Sequence, residues 1–482
     1  MPEPLKAPRP WARFFLGALL IALASATATS FAAFREVDKI VAALGTNGPL
    51  DFGVGLAEAD AGTPQTIMLV GSDKRARTAR DSLSGAAAGA RSDTVILVRL
   101  DPARRTTALM SLPRDLKVRI PGHGTSKLNE AYSIGGPRLT LETIKELTGL
   151  RINHVINVDF KGFRQAVNAI DCVYADIDRR YFNDNSGPEK YATIDVEQGY
   201  QRLCGQDALD YVRYRHEDND LVRSARQQDF IRQAKAQVGV PRLVGDRDEL
   251  VRIFGRNTTS DLRDRASVLS VLKLLVGAAG QAITEVHFEG RIGESFVTAS
   301  SASVKKLTRQ FLGAEDTRGP RGDPGRPRAR RRPRPEPRAD LEDASAEGRA
   351  QALQAVRGGA RIPVYFPGQR IAGSTFDDAP RVYALRGPDG RVHNAYRMVL
   401  RRDLVGEYYG VQGTAWPDPP ILRTPSETRE IGGRRFELHY DGDRLRLVAW
   451  RARGGAYWIS NTLLQSLSEK EMIAIARSTR AL

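Results

Sequence analysis

The stretch that decides the fold is Thr94–Leu112, TVILVRLDPARRTTALMSL. Thr94–Leu100 and Thr106–Leu112 are short runs rich in aliphatic and β-branched residues, and Asp101-Pro102 between them is a turn signal. Upstream, Thr66–Val70 is an apolar run ending in Gly71-Ser72-Asp73, which reads as a buried strand feeding a polar loop. Downstream, the spacing predicts a helix over Arg138–Leu147, a strand at Val155–Val158, a helix over Phe160–Ala169 and a strand at Val173–Ile177. Gln206–Tyr211, Leu221–Val238, Arg242–Phe254 and Arg263–Val276 have helical apolar spacing. Strands alternating with helices predict an α/β sheet covered on both faces.

The whole chain has 482 residues, room for two or three domains. With 41% hydrophobic and 27% charged residues it can bury a core, which excludes a wholly disordered protein. Two cysteines exclude a disulfide scaffold, and the six histidines form no HExxH motif or cluster in sequence. The net charge is +16, but Arg318–Arg338 alone holds nine arginines against Asp323 and Glu336. Basicity this local is weak evidence for a nucleic-acid partner, and none is expected.

Phe14–Phe34, FFLGALLIALASATATSFAAF, contains no charged residue. As a helix it would be about 31 Å long, enough to cross a hydrocarbon core. Lys6, Arg9 and Arg13 precede it, so the positive-inside bias keeps the N-terminus in the cytoplasm and exports the rest. The competing reading is a cleaved signal peptide, since Ala24-Ser25-Ala26 and Phe31–Ala33 offer small residues. Under either reading the bulk of the chain meets an oxidising compartment, where a Cys172–Cys204 disulfide is expected.

These signals divide the chain into a cytoplasmic tail and anchor (1–35), a juxtamembrane spacer (36–64), an α/β domain (65–313), a linker (314–358) and an α+β domain (359–482). The linker is Arg/Pro/Gly-rich and then acidic, with too little apolar surface to order itself. It is read as a solvated spacer, with binding to anionic wall polymer or lipid head groups as the alternative. In the last domain short alternating strands are predicted at Arg381–Leu385, Ala395–Leu400, Gly406–Gln412, Phe436–Tyr440, Arg444–Ala449 and Ala456–Ile459. A final helix starts at Ser468-Glu469-Lys470-Glu471, which has the capping-box pattern.

Four clusters in the α/β domain combine charge with glycine where strands end. Gly71-Ser72-Asp73 and Arg91-Ser92-Asp93-Thr94 deliver two carboxylates beside adjacent strands, a donor set suited to Mg²⁺ (or Mn²⁺) or simply two loop residues. Ser111-Leu112-Pro113-Arg114-Asp115 follows another strand. Lys127-Leu128-Asn129-Glu130-Ala131-Tyr132 precedes Gly135-Gly136, and Gly124–Lys127 lacks the GxxxxGK[ST] spacing of a nucleotide loop. The fourth runs from Asp210 to Gln228. If the chain is extended past Tyr211, Arg213 and Arg215 share one face; with Asp220 as N-cap, Arg223 and Gln227 fall at i and i+4 on one helical face. Such an arginine set suits a pyrophosphate; the alternative is a salt-bridge network with Glu217, Asp218 and Asp220.

Taken in order, Gly71-Ser-Asp, Arg91-Ser-Asp-Thr, Ser111-Leu-Pro-Arg-Asp, Lys127-Leu-Asn-x-Ala-Tyr-x-x-Gly-Gly, Val158-Asp-Phe and Arg213-x-Arg-x₄-Asp-x-x-Arg-x-x-Arg-Gln-Gln resemble the LytR-CpsA-Psr (LCP) family of cell-wall glycopolymer ligases. The resemblance covers about Thr66–Gln237 and extends to the single N-terminal anchor. One departure is Ile170-Asp171-Cys172-Val173, where many members carry Gly-Gly-Val; Cys172 comes with Cys204, as though the pair were a unit.

The resemblance implies an α/β/α sandwich with a deep apolar pocket for a polyprenyl chain. It implies transfer of a glycan phosphate from a polyprenyl-pyrophosphate carrier to the muramic acid C6 hydroxyl of peptidoglycan, at the membrane. By carry-over, Asp73 and Asp93 hold Mg²⁺, and Arg114, Arg213, Arg215 and Arg223 hold the pyrophosphate with Gln227 beside them. Lys127 and Asn129 are further contributors, and Asp93 or Asp220 takes the hydroxyl proton. Two other functions compete: a polyprenyl-pyrophosphate phosphatase using the same arginines and metal, or a non-catalytic envelope sensor or transcription attenuator, which would tolerate loss of Asp73 and Arg114 but need the anchor and C-terminal domain. The C-terminal domain lies outside the resemblance and is read as an accessory module.

Overall fold

The structure is a computed structural model of the chain and describes residues 38, 42, 55–60, 62–72, 92–186, 192–214, 218–238, 253, 257–262, 267–268, 270–271, 274, 283–293, 295–313, 340–402 and 406–482. Phe14–Phe34, Asp73 and Arg215 lie outside the described residues, as do most of Arg242–Phe254 and Arg263–Val276, and nothing of the Asp93 side chain is described. Among the described residues no helix is long and apolar enough to cross a membrane.

The three strands that the opening stretch and its upstream run predict are β1 (Gln65–Ser72), β2 (Ser92–Asp101) and β3 (Thr106–Leu112). They form consecutive antiparallel pairs at the centre of a six-stranded sheet. The hairpin β4 (Lys117–Ile120) and β5 (Gly124–Lys127) follows, then α1 (Leu128–Thr148), whose helical geometry is broken at Gly135 and Gly136. Next come β6 (His154–Asp159), α2 (Phe160–Ala169), β7 (Val173–Ile177), β8 (Tyr181–Asn183), β9 (Ile194–Val196) and β10 (Gly199–Leu203). Helices α3 (Gly205–Arg213) and α4 (Asp220–Gln237) then precede the edge strands β11 (Thr258–Ser260) and β12 (Ile283–Val286). The sheet order is β11-β6-β1-β2-β3-β12, with β6 parallel to β1 and β12 parallel to β3.

Strand alternation explains why the sheet is covered on both faces. Met68, Val70, Val95, Leu97, Met110 and Leu112 point to one side, where they meet Leu128, Leu141 and Ile144 of α1. Ile67 and Leu100 point to the other side and pack on Leu262, Val268, Val271 and Leu274. Ile96 and Leu109 share that side with Ile231 of α4. The fold of this region is mixed α/β.

Three local expectations need correction. The chain does not become extended after Tyr211: α3 continues through Arg213, and the backbone turns extended at Tyr214 (φ −52°, ψ 137°). The N-cap of α4 is Asn219 rather than Asp220, its side chain accepting from the amides of Leu221 at 2.9 Å and Val222 at 3.0 Å. Asp220 is the first helical residue, so its carboxylate is left for tertiary partners. Residues 314–358, read as linker, include the strand Leu341–Asp343 and the helix Ser345–Arg357. Burial of Ala352 and Ala355 against Ile362, Val364 and Phe366 stabilises that helix, a gain that the composition of the segment alone does not reveal.

The remaining chain builds a mainly antiparallel sheet around Val392–Arg401, Tyr408–Thr414, Arg434–Asp441, Arg444–Ala452 and Gly455–Ser460. The final helix, Glu469–Ser478, has the expected capping box between Ser468 and Glu471. This sheet is not insulated from the first region. Tyr174 and Tyr200 share one buried cluster with Leu385, Trp416, Leu447 and Trp458.

Cys172 and Cys204 are joined by a disulfide. It links the turn before β7 to the residue that precedes α3, so it ties the start of the arginine-bearing helices to the sheet beneath. At the turn, Asp171 (φ 63°) and Cys172 (φ 65°) both occupy the left-handed region, the conformation that glycine adopts freely at this point in many family members. Replacing both cysteines by serine is expected to lower stability by about 3–4 kcal/mol, the loop-entropy scale for this separation. Chemical denaturation of the oxidised protein and the double variant measures it; equal midpoints would refute the estimate.

Candidate functional site

Two groups of sequence-predicted residues come together at the end of the sheet where β1 and β2 part. The first is polar. The turn after β3 presents Arg114 and Asp115, held by a bond from the Leu116 amide to the Pro113 carbonyl at 3.1 Å. The Asp115 amide donates to Asp220 Oδ2 at 2.9 Å, which docks this turn on the first residue of α4. Arg114 Nε lies 3.7 Å from Asp220 Oδ1, and Arg223 pairs with the same oxygen. Lys127 Nζ pairs with Asp115 Oδ1 at 3.1 Å, and the Asn129 amide donates to the Arg114 carbonyl at 3.0 Å. Arg114, Lys127, Asn129, Asp220 and Arg223, distant in sequence, are therefore one cluster. The salt-bridge alternative and the anion-site reading meet here, because Asp220 aligns two guanidiniums side by side.

The second group is amphipathic. A cavity of about 160 Å³ is lined by Leu69, Val70, Ile96, Val158, Phe163 and Phe230, with Arg213 and Gln227 among its few polar neighbours. The Arg213 guanidinium lies over the Phe160 ring, 4.2 Å from its centroid. Arg213 Nε is buried and has no hydrogen-bond partner among the described residues. Asn129 Oδ1 is a second such buried atom, in the polar cluster. Gln227 Nε2 donates to Thr94 Oγ1 at 2.8 Å and to the Val212 carbonyl at 3.1 Å, so it joins α4, β2 and α3. Arg223 and Gln227 are one turn apart on α4, which places the polar cluster and the cavity on one helix face.

The backbone of one candidate carboxylate residue, Asp93, lies at the same end. In the antiparallel register Gly71 faces Thr94 and Ser72 faces Ser92 across a bulge, so the backbone delivers Asp93 beside the cavity-lining Thr94. Asp73 follows the end of β1 by one residue, outside the described residues.

Arg226, though part of the same motif, is not at the site. Its side chain is fully buried; Nη1 pairs with Asp218 Oδ2 at 2.7 Å, and Nη2 donates to the Tyr214 carbonyl at 2.6 Å. Burial alone would push this guanidinium down, but Asp218 holds it above the ordinary arginine value. Arg179 pairs with the other oxygen of Asp218 at 2.9 Å. Sequence reading missed Arg179 because its role depends on a turn 39 residues away from Asp218.

The fold also gathers Glu285, His287 and Asp441, whose ligand-type atoms lie within 4.8 Å of one another, although nothing in their spacing announces it. Arg232 Nε already pairs with Glu285 at 2.7 Å. Burial pushes His287 down to about 4 and Glu285 up to about 7, the latter also through Asp441.

Comparison with known proteins follows the same part of the chain. A polyisoprenyl-teichoic acid–peptidoglycan teichoic acid transferase, TagU of Oceanobacillus iheyensis, is 30% identical over 236 residues, 46% of this chain and 70% of that protein. The corresponding TagT of Bacillus subtilis is 29% identical over 201 residues, 41% of this chain and 60% of that protein. The B. subtilis TagV structure is 22% identical with a TM-score of 0.42, covering 52% of this chain and 96% of that one. The LytR_cpsA_psr family model matches residues 29–311, more than half of the sequence, and the chain belongs to that family.

Proposed function

We propose that this protein is a membrane-anchored, extracytoplasmic phosphotransferase that attaches a glycopolymer from a polyprenyl-pyrophosphate carrier to peptidoglycan. The observation that carries this reading is the pairing of an apolar cavity with Arg213 at its edge and an arginine cluster on the same helix face. A ligand with a long hydrocarbon tail and a doubly anionic head satisfies both parts at once. Family membership and the transferase names of the relatives support it. Phe14–Phe34 with its basic flank supports the anchor, and an exported location agrees with the disulfide.

In the proposed reaction the muramic acid C6 oxygen bonds to the glycan-linked phosphorus, and the bond from that phosphorus to the bridging oxygen breaks. Polyprenyl phosphate leaves. Arg114, Arg213, Arg215 and Arg223 bind the pyrophosphate and offset the charge that develops on its oxygens. Lys127 and Asn129, held in the same cluster, would contribute further contacts to the pyrophosphate head. Asp220 is occupied by Arg114, Arg223 and the Asp115 amide, so it orients the arginines, which favours Asp93 as the acceptor of the hydroxyl proton. Asp73 and Asp93, two carboxylates next in sequence to Ser72 and Thr94, would hold Mg²⁺ or Mn²⁺, since oxygen donors of this kind suit a hard divalent ion beside phosphate. Such an ion supplies charge neutralisation at the pyrophosphate when bound.

The direct test supplies the purified protein with a lipid-linked glycan and peptidoglycan. Glycan bound to the wall supports the ligase; release of phosphate to water alone would replace it with the phosphatase reading. A narrower expectation concerns Arg213. Arg213→Ala removes a charge-assisted contact and is expected to weaken lipid-pyrophosphate binding by about 1.5–3 kcal/mol. Stability should change little. Wild-type affinity in calorimetric titration would show that this guanidinium does not touch the carrier.

A further inference from the structure

Helix α4 and the loop before it are held from behind by the C-terminal sheet, at two points beside the arginine cluster. The first is steric. Gly406 has φ 79°, and a Cβ there would lie 2.2 Å from Cγ2 of Val222, the residue before Arg223. Only glycine permits this backbone to press on the first turn of α4. The second is electronic. The Tyr408 ring covers the Arg179 guanidinium, with 5.1 Å from Cζ to the ring centroid. Arg179 in turn holds Asp218, whose other oxygen is held by Arg226. Arg226 also binds the Tyr214 carbonyl, so the segment from Arg213 to Asp220 is closed at both ends by one buried network.

The contact is also firmly seated. Asp176 of β7 accepts from Arg397 Nη1 at 3.0 Å and from Trp458 Nε1 at 3.3 Å, and it pairs with Gln412. Arg397 is fully buried, so its charge is committed to this joint.

We propose that Gly406 and Tyr408 are positioning residues, and that through Val222, Arg179 and Asp218 the C-terminal sheet sets the placement of Arg213, Asp220 and Arg223. The proposal rests on reading that segment as the pyrophosphate site. It replaces the accessory reading of the C-terminal region with a direct part in carrier affinity. The reason is physical: charged groups that must converge on one small anion tolerate little displacement, and Tyr214, Asp218 and Val222 shift when their backing moves.

The test uses the full-length protein in detergent with geranylgeranyl pyrophosphate as probe. Tyr408→Ala is expected to raise Kd about tenfold, the scale of a desolvated cation–π contact. Amide exchange should accelerate within residues 212–222 and not across the C-terminal sheet. Tyr408→Phe keeps the ring face and should restore both affinity and protection, a rescue that general destabilisation does not produce. Tyr408→Leu, which keeps apolar volume for folding but no ring, should behave as the alanine variant does. Gly406→Ala should weaken binding in the same direction by displacing Val222. Arg213→Ala run in parallel separates the two levels. If it loses affinity while the Tyr408 and Gly406 variants bind as wild type, the positioning role is wrong. If Arg213→Ala itself binds as wild type, the underlying site is misplaced.

Discussion

Arg226→Ala is expected to lower the unfolding free energy by about 3–5 kcal/mol, the cost of leaving a buried carboxylate without its partner. Arg226 has no exposed side-chain surface, and Asp218 beside it is almost as deeply buried. The guanidinium also lies 4.5 Å from the Tyr181 ring centroid and within reach of Tyr211 and Tyr214. Alanine therefore removes an ion pair, a carbonyl cap and a set of ring contacts together. Arg179 then remains as the counter-charge that Asp218 keeps among its described partners. Urea denaturation of wild type and variant provides the measurement. A loss under about 1 kcal/mol would mean that water reaches Asp218 and that the network is a surface feature. The contrast with Arg213→Ala is instructive, because these arginines flank the same segment. One serves the frame and the other the proposed ligand.

Asp73→Asn is expected to reduce glycan transfer by two to three orders of magnitude, the scale of lost electrostatic stabilisation at a phosphoryl centre. Asparagine keeps the side-chain volume and removes one negative charge, so packing at the end of β1 should survive. Carrier binding should persist, since Arg213 lies on α3 and the apolar cavity is lined from several elements besides β1. The measurement is single-turnover transfer across Mg²⁺ concentrations, run beside a carrier-binding assay. Normal turnover by the variant, or wild-type turnover indifferent to chelator, would take the carboxylate and its ion out of the mechanism. Charge stabilisation would then belong to the arginines alone.

Much of this protein was legible before folding because its signals are local. Thr106–Leu112, Phe160–Ala169 and Val173–Ile177 have the limits that their apolar spacing predicts. The capping box at Ser468 is readable for the same reason: its donors and acceptors lie three residues apart. The motif order along Gly71–Gln228 identifies the family, since each motif is a short contiguous string. The end of α3 was misread because Arg213 and Tyr214 differ in backbone conformation without a proline or glycine to mark the change. The helix Ser345–Arg357 was misread because its stabilising partners, among them Ile362 and Phe366, come later in the chain.

What the sequence by itself determined is the alternation of strands and helices, the family, and the residue types available to bind an anion. Tertiary structure alone decided which arginine does what. Arg223 and Arg226 are three residues apart on one helix and so are near neighbours on its surface, yet one sits beside Asp220 and Arg114 and the other in a pocket of tyrosines around Asp218. Spacing alone cannot say which of the two meets Asp220 and Arg114 and which enters the pocket around Asp218. The C-terminal sheet also brought Gly406 against Val222 of α4 and Tyr408 over Arg179, proximities with no trace in composition or motif. Burial and long-range pairing depend on where distant segments come to rest, and only the folded chain holds that information.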